Sequence, residues 1–292
     1  MNLSLLQNFK ENNFFLDPFP HIVIENALPE KLYNELSETY PTNKFNYTNQ
    51  NNAILSINSE EIQKDNEISD LWKNFVLFHN NQGDYKSKDF CLQVFDIFAK
   101  NIVDTYPNFF KNKEELYNLK VGLHERDDED ISLFSYMSCT TPVTKKGPPL
   151  KSNGSLLDIH PDSPNKFISA LLYMKDKNDT EGGDLILHNW RINLPFFLKK
   201  IILAKRKNFL NNIIKKFQFL FIGDRKKIQY SSNTLVMWLG SIDSIHSVTA
   251  REVTKNFRKS FTLGILYKRN FWDPYSIIDK VLHFKNYKFF KF

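Results

Sequence analysis

The sequence predicts an α+β fold in which helices come first and a sandwich or jelly roll of short strands packs against them. Up to about residue 115, apolar residues recur at the three- and four-residue steps of helices. From about Leu116 the period changes towards two, and Gly and Pro separate the runs. The chain has 292 residues, 41% of them hydrophobic, so it can bury a sizeable core. We therefore expect a mainly helical support region over residues 1–115 and a strand-rich core over residues 116–275.

The first helix is predicted to begin around Pro29, because proline is tolerated in a first turn, and to end before Pro41. Leu28, Leu32 and Leu36 supply its apolar face. An Asn-rich loop over residues 43–52 follows. Two further helices are indicated by these apolar residues: Ile68, Leu71, Trp72 and Phe75, and then Phe90, Cys91, Val94, Phe95, Phe98 and Ile102.

The second part of the chain contains short runs that are typical of strands. They are Leu119 to Leu123, Ile131 to Met137, Phe167 to Met174, Asp184 to His188, Thr234 to Leu239, Ile245 to Val248 and Phe257 to Tyr267. Strands of this number and length favour an antiparallel sandwich or jelly roll.

The net charge of +6 comes from one segment. Residues 191–229 contain eleven basic residues against a single acid, Asp224, so the segment carries +10 and the rest of the chain −4. Apolar residues recur between the lysines, which predicts a basic helical insertion. We expect it to be a lid or partner-protein surface first, an anionic membrane surface second and a nucleic-acid surface last, because no nucleic-acid module is present. Residues 276–292 form a basic aromatic tail that can join the same surface.

Two cysteines cannot build a disulfide framework, so we expect a cytoplasmic protein. No apolar run is long enough for a signal peptide or a spanning helix, and attachment at a membrane surface stays open. The sequence contains no phosphate loop, dinucleotide-binding fingerprint or paired-cysteine zinc pattern.

The chemistry is predicted by residues that stand far apart in the chain. His160 and Asp162 flank Pro161, so an extended backbone places both side chains on one face. With His246 they make two histidines and one carboxylate, which can hold a divalent metal and leave positions open. In the run from Phe257, the residues Arg258, Ser260, Thr262 and Gly264 share one face. That face is suited to binding a carboxylate. Taken alone, however, a strand with such a polar face is more often an edge strand whose polar side faces water.

The remaining histidines have no partner at ligand spacing and are expected to be surface or hydrogen-bonded core residues. They are His21, His79, His124, His188 and His283.

Taken in order, these motifs resemble the iron(II)- and 2-oxoglutarate-dependent oxygenases, and within them the prolyl-4-hydroxylase-like branch. The ordered series is Pro18 to Pro29, His160-Pro161-Asp162, Leu171 to Met174, Glu181 to Leu185, Ser244-Ile245-His246 and Arg258-Lys259-Ser260. The resemblance implies a single catalytic domain on a double-stranded β-helix, which is a cupin-like jelly roll.

By the same resemblance His160, Asp162 and His246 bind iron, and Arg258, with Ser260 and Tyr173, holds the far carboxylate of 2-oxoglutarate. The basic segment lengthens the gap between Asp162 and His246 beyond that of compact members. Arg251 also follows the distal histidine and competes for the anchoring role. Arg258 is preferred because Ser260 lies on the same face of its strand.

The implied reaction uses Fe(II), 2-oxoglutarate and dioxygen, with ascorbate as a further cofactor, and releases succinate and CO2. A carboxylate at Asp162 favours hydroxylation over halogenation, while desaturation and epoxidation stay open. The primary substrate is not written in the sequence: peptidyl proline, a free amino acid, a saccharide and a lipid-linked precursor are all compatible. The alternative is a non-catalytic jelly-roll scaffold that acts through its basic insertion.

Overall fold

The computed structural model describes residues 2–45, 53–82, 89–123, 129–143, 157–203 and 217–273. Over these residues the helices are α1 (Glu30–Glu38), α2 (Ser59–Lys64), α3 (Asp70–His79), α4 (Asp89–Thr105), α5 (Lys113–Tyr117) and α6 (Phe196–Leu203). The strands are β1 (Phe14–Phe15), β2 (His21–Glu25), β3 (Ile54–Asn58), β4 (Val121–Leu123), β5 (Ile131–Thr140), β6 (Leu157–His160), β7 (Lys166–Tyr173), β8 (Leu185–Trp190), β9 (Ile222–Ile228), β10 (Thr234–Leu239), β11 (His246–Val248) and β12 (Arg258–Tyr267).

The strands form two sheets. The larger has the order β1-β2-β10-β7-β12-β5-β3, with β4 parallel to β5, and the smaller has the order β6-β11-β8-β9. The eight strands β5 to β12 pass between the two sheets, and their neighbours within each sheet are antiparallel. This strand order is that of a double-stranded β-helix, so the predicted fold class is confirmed.

The large sheet separates the helices from the barrel interior. On β12, Phe261, Leu263 and Ile265 are buried in the core shared with the helices, whereas Arg258 and Ser260 point to the opposite face. This division follows from the two-residue period of a strand, and it matches the predicted faces of this run. The chain has 27 phenylalanines, and several of them pack edge to face in this core, on α3, α4, β7 and β12.

The N-terminal region is less helical than predicted. Strand β2 pairs with β10, and β3 forms the edge of the large sheet beside β5. The segment His21–Glu25 is short and follows two prolines, Pro18 and Pro20, so its periodicity gave no clear signal.

The prediction of a basic helical insertion over residues 191–229 is also wrong in part. Helix α6 and the helical residues 217–221 lie within it, but Ile222–Ile228 is strand β9, which pairs with β8. Three basic residues in succession, Arg225, Lys226 and Lys227, obscured the strand in the sequence. The middle of the segment, residues 204–216, and the predicted tail, residues 276–292, lie outside the described residues.

Helix α6 packs against the outer face of the small sheet. Leu194 and Ile202 are buried with Ile222 and Ile245, and Ile159 packs against the same cluster. Asp243 fixes the helix from the side: it accepts hydrogen bonds from Trp190 Nε1 at 2.8 Å and Lys199 Nζ at 2.6 Å.

Among the described residues, no helix is both long and apolar enough to cross a membrane. Cys91 and Cys139 are both free thiols and both buried.

Candidate functional site

Two predicted metal ligands lie opposite each other on neighbouring strands. His160 ends β6 and His246 begins β11, and the two are direct partners in the antiparallel register. Their ring centroids are 4.5 Å apart, and the Trp238 ring lies 4.9 Å from that of His246. The strand pairing therefore brings together two imidazoles that are remote in the sequence.

Each of these rings has its tautomer fixed by the backbone. Nδ1 of His160 lies 2.6 Å from the carbonyl oxygen of Asp158, and Nδ1 of His246 lies 3.0 Å from that of Ser244. A carbonyl oxygen can only accept, so each Nδ1 carries the proton and each neutral ring has its lone pair on Nε2. Burial lowers the pKa of His246 to about 4, although the nearby Asp162 carboxylate opposes this shift. His246 is therefore neutral at pH 7, as a metal ligand must be.

Asp162, in the turn between β6 and β7, is held by three side chains. Its Oδ2 accepts hydrogen bonds from Ser169 Oγ at 2.7 Å and Trp238 Nε1 at 3.0 Å, and Lys166 Nζ lies 3.1 Å from its Oδ1. Burial by itself raises the pKa of Asp162, but the Lys166 and His246 charges and the Ser169 hydrogen bond hold it well below its usual range. The carboxyl is therefore ionised at neutral pH.

The donor types fit a divalent metal, since two imidazole nitrogens and one carboxylate are the facial ligand set of non-haem iron sites. Within the described part of the chain, however, no three His, Cys, Asp or Glu side chains are gathered closely enough to enclose an ion. The Lys166 ammonium lies 3.1 Å from Asp162 Oδ1, so it places a positive charge beside this carboxylate and opposes the binding of a cation there.

A second group of polar atoms lies in the barrel interior around Arg258. Nε of Arg258 donates to the Gly183 carbonyl at 2.9 Å, and the guanidinium lies 5.2 Å from the Tyr173 ring and 4.8 Å from the Tyr230 ring. Nη2 of Arg258 and the Tyr173 hydroxyl are buried and have no hydrogen-bond partner among the described residues. Burial raises the pKa of Tyr173 to about 12, and the Arg258 charge limits the rise. A buried guanidinium with an unused donor is suited to binding a carboxylate.

Arg251, the competing candidate, is already engaged. Its Nη1 donates to the carbonyls of Thr140 and Thr141 at 3.4 and 3.1 Å. Its Nη2 donates to the Asn256 carbonyl at 2.8 Å and lies 3.5 Å from Asp179. These contacts hold three chain segments together, which is a structural role.

Ser260, the third predicted contact of 2-oxoglutarate, is the register partner of Tyr173 and is buried. Its hydroxyl lies 2.8 Å from the Ser138 hydroxyl on β5. Ser260 thus lies beside Tyr173, and its hydroxyl already has a partner.

Gly183 allows Arg258 to occupy its position. Its φ of +75° lies in the left-handed region, and a Cβ built there would stand 2.9 Å from both Cδ and Nε of Arg258. The glycine is needed for both its backbone conformation and its lack of a side chain.

Four residues with a direct part in this arrangement were not predicted: Lys166, Ser169, Tyr230 and Trp238. The alternation of β7 and β10 offered a signal for two of them, since Ser169 and Trp238 lie opposite each other in register and share an interior face. The position of Lys166 depends on the turn after β6, which the sequence does not define.

A cavity of about 380 Å³ opens beside His160 at the end of β6 and Asp162 in the turn that follows it. Phe134, Tyr136 and Leu266 give it an apolar wall, and Lys166 lies among His160, Asp162 and Ser163 on the other side. The rings of Phe134 and Tyr136 are stacked, with centroids 6.2 Å apart. The cavity is large enough for a small molecule or for a side chain of a larger one.

The other described histidines are buried, and Nδ1 of His188 lies 2.9 Å from the Asp224 carboxylate. His79 is a hydrogen-bonded core residue: its Nδ1 lies 2.7 Å from the Phe75 carbonyl, and its Nε2 accepts from the Leu5 N–H at 3.2 Å. Nε2 of His188 lies 2.8 Å from Ser247 Oγ, and Nδ1 of His21 lies 2.7 Å from the Phe19 carbonyl. His124 and His283 lie outside the described residues.

Neither a protein-family model nor a curated protein matches the chain. Solved structures with a similar fold include a prolyl-4-hydroxylase from Pseudomonas putida, at 12% identity over 87% of this chain and 96% of that one, with a TM-score of 0.42. HygX from Streptomyces hygroscopicus, solved with nickel and 2-oxoglutarate bound, is 10% identical over 91% of this chain and 90% of its own, with a TM-score of 0.45. SnoK, a non-heme alpha ketoglutarate dependent carbocyclase from nogalamycin biosynthesis, is 9% identical over 94% of this chain and 90% of its own, with a TM-score of 0.47. The strand order and the contacts inside the barrel define the candidate site independently of these likenesses.

Proposed function

We propose that this protein is an Fe(II)- and 2-oxoglutarate-dependent dioxygenase that hydroxylates its substrate. One observation carries the proposal: strand pairing places His160 opposite His246, each ring donates from Nδ1 to a backbone carbonyl, and the ionised Asp162 carboxylate lies in the loop after His160. The residues around Arg258 support it, because they offer a buried cationic donor for a second carboxylate.

His160, His246 and Asp162 would hold the metal, which with 2-oxoglutarate and dioxygen supplies oxidative decarboxylation to succinate and CO2 coupled to hydroxylation. The chain orients two of the ligands in advance. The Asp158 and Ser244 carbonyls accept from Nδ1 of the two rings, which leaves Nε2 of each neutral ring as the atom that would bind the ion. Asp162 retains a carboxylate where a halogenase needs space, which favours hydroxylation.

Arg258 would anchor the far carboxylate of 2-oxoglutarate, with the Tyr173 hydroxyl as a further donor. The guanidinium is held between two tyrosine rings and tied to Gly183, so its free Nη2 is fixed in direction. Because the site is buried, this ionic hydrogen bond is stronger than it would be in water. Arg251 is unsuited to this role, since both of its terminal nitrogens are engaged.

The cavity beside His160 and Asp162 is the proposed entrance for the primary substrate. Its wall of Phe134, Tyr136 and Leu266 suits an apolar or aromatic portion of a substrate next to the reacting bond. These contacts do not select among a peptide, an amino acid, a saccharide and a lipid-linked precursor.

The deciding experiment adds Fe(II) and 2-oxoglutarate to the intact protein without oxygen and records the visible spectrum. We expect the weak charge-transfer band of the chelate, its loss in His246→Ala, and its retention in His79→Gln, a change at a buried histidine outside the site. Absence of the band from the unaltered protein would overturn the proposal and favour the non-catalytic scaffold. A band that survives His246→Ala would overturn the ligand assignment. A screen of metabolites and peptides for succinate release would then identify the substrate class.

A further inference from the structure

The cavity beside His160 is bordered by a cationic side chain. Among its described lining residues, the acidic and basic ones are Asp162, a proposed metal ligand, and Lys166. The Lys166 side chain is only 14% exposed, so its ammonium is largely withdrawn from water. A charge in such a place is costly unless it has partners of opposite charge. The contacts of this ammonium therefore decide which molecules the cavity accepts.

The ammonium of Lys166 has more donors than the described residues use. An ammonium group carries three N–H donors. Within the described part of the chain, Lys166 Nζ makes one hydrogen bond, to Oδ1 of Asp162 at 3.1 Å, and lies 5.6 Å from the centre of the Phe134 ring. Donors are thus open to a molecule in the cavity, and an anionic acceptor forms the strongest hydrogen bonds with them.

The charges of the proposed loaded site also leave Lys166 without a balance. In the metal-free protein, the Asp162 carboxylate offsets the Lys166 charge. A divalent ion together with Asp162 and the near carboxylate of 2-oxoglutarate has no net charge, and Arg258 offsets the far carboxylate. The positive charge of Lys166 then remains, in a site where charges interact more strongly than in water. A substrate with one negative charge completes the balance.

The apolar wall of the cavity is built around two aromatic rings. Phe134 and Tyr136 lie two residues apart on β5, so both side chains are on one face, and their rings are nearly parallel, at 8°. Gly264 on β12 is the register partner of Phe134. A Cβ built on Gly264 would overlap the Phe134 ring and would stand 3.1 Å from Cε of Lys166. The missing side chain therefore leaves room for the ring and the lysine to border the same cavity.

We propose that the primary substrate is a small carboxylic acid that carries an aromatic ring. Its ring packs against Phe134 and Tyr136, and its carboxylate accepts hydrogen bonds from Lys166. The proposal rests on the proposed function, because it takes this cavity as the place of the substrate. The volume of about 380 Å³ is that of a small-molecule site. Lys166 repels a cationic substrate, and a neutral one leaves its charge unbalanced.

The test uses 3-phenylpropionate as the probe and its neutral amide, 3-phenylpropionamide, as the matched control ligand. Saturation-transfer NMR measures the affinity of the full chain for each ligand. Zn(II), which is diamagnetic, and saturating 2-oxoglutarate are present, so that Arg258 is already occupied. We expect the acid to bind at least about tenfold more tightly than the amide, because a hydrogen bond between charged groups is stronger than one to a neutral acceptor.

Variants separate the charge from the aromatic wall. In Lys166→Met the preference for the acid should vanish, and in Lys64→Met, which removes a lysine from an exposed ion pair, it should stay. Lys166→Gln replaces Lys166→Met if circular dichroism shows that the latter is unfolded. Tyr136→Ala should weaken the acid and the amide alike, about two- to tenfold, because both lose contact with an aromatic ring.

Equal affinities of the unaltered protein for the acid and the amide would overturn the proposal, as would a complete lack of binding by the acid. A preference for the acid that survives Lys166→Met and is lost in Arg258→Met would also overturn it, because the carboxylate would then bind at Arg258. Failure of the proposed function is seen separately, as absence of the visible band with Fe(II) and 2-oxoglutarate, an experiment that contains no probe.

Discussion

Substituting Lys166 by Met should strengthen binding of a divalent metal at the proposed site. Lys166 Nζ lies 3.1 Å from Oδ1 of Asp162, and both side chains are largely buried, at 14% and 13% exposure. An ion that takes Asp162 as a ligand comes close to this ammonium and is repelled by it. The variant removes that repulsion, and its metal-free form carries a buried carboxylate that lacks a compensating charge.

The size of the effect follows from the strength of the contact between Lys166 and Asp162, which a bound cation would weaken. A hydrogen bond to a charged group contributes about 1.5–3 kcal/mol, and every 1.4 kcal/mol changes an equilibrium constant tenfold. Lys166→Met should therefore bind metal roughly ten- to a hundredfold more tightly. The metal-free variant should also be less stable than the unaltered protein, because Asp162 keeps only its hydrogen bonds from Ser169 and Trp238.

Calorimetric titration with Mn(II), which resists oxidation, measures the affinity directly. Lys64→Met is a matched control: Lys64 also pairs with a carboxylate four residues earlier, Glu60, but that pair is exposed and outside the barrel. Its metal affinity should equal that of the unaltered protein. Unchanged or weaker Mn(II) binding by Lys166→Met would refute the reasoning, because it would mean that the ion does not compete with Lys166 for Asp162.

Three further predictions concern the carboxylate site and the buried core. Arg258→Met should weaken 2-oxoglutarate binding at least about thirtyfold and leave the Mn(II) affinity unchanged, because loss of one partner of a buried charged pair costs upward of about 2 kcal/mol. Calorimetric titrations with 2-oxoglutarate and with Mn(II) measure the two affinities, and an equal loss of both would refute the prediction. Gly183→Ala should lower the affinity for 2-oxoglutarate about tenfold, because the new Cβ stands 2.9 Å from Arg258 Nε and strains a backbone at φ +75°. Unchanged 2-oxoglutarate binding would show that Arg258 is not held as described. Burial lowers the pKa of His79 to about 3, so the unfolded chain takes up the proton first as the pH falls below about 6.5. The contribution of neutral His79 to the free energy of unfolding is complete above pH 6.5 and is lost towards pH 3. In urea unfolding, the free energy of unfolding of His79→Gln should therefore fall less steeply over this pH range than that of the unaltered protein. Equal slopes for the two proteins would contradict the lowered pKa.

The sequence predicted features that depend on local periodicity. The run from Phe257 to Gly264 alternates, and β12 places Arg258 and Ser260 on the interior face and Phe261 on the helix side as expected. A strand's two faces are decided by neighbouring residues alone, so this inference needed no tertiary information.

Features that depend on strand register or on turns could not be predicted from the sequence. The pairing of His160 with His246 is set by hydrogen bonds between strands remote in sequence, and only a resemblance to known motifs suggested it. The contact of Lys166 with Asp162 depends on the turn that leads into β7. Strand β9 was hidden because three basic residues in succession, which suited a basic helix equally well, fill its middle.

Trp238 gives the protein an intrinsic optical probe. Its indole N–H is bonded to Asp162 and its ring lies 4.9 Å from that of His246, so it adjoins two of the three proposed ligands. An ion that binds there changes the polarity around the indole, and a paramagnetic one quenches its emission. Tryptophan fluorescence can therefore follow metal loading in real time, and the signal that disappears in Trp238→Phe is the part that reports on this site.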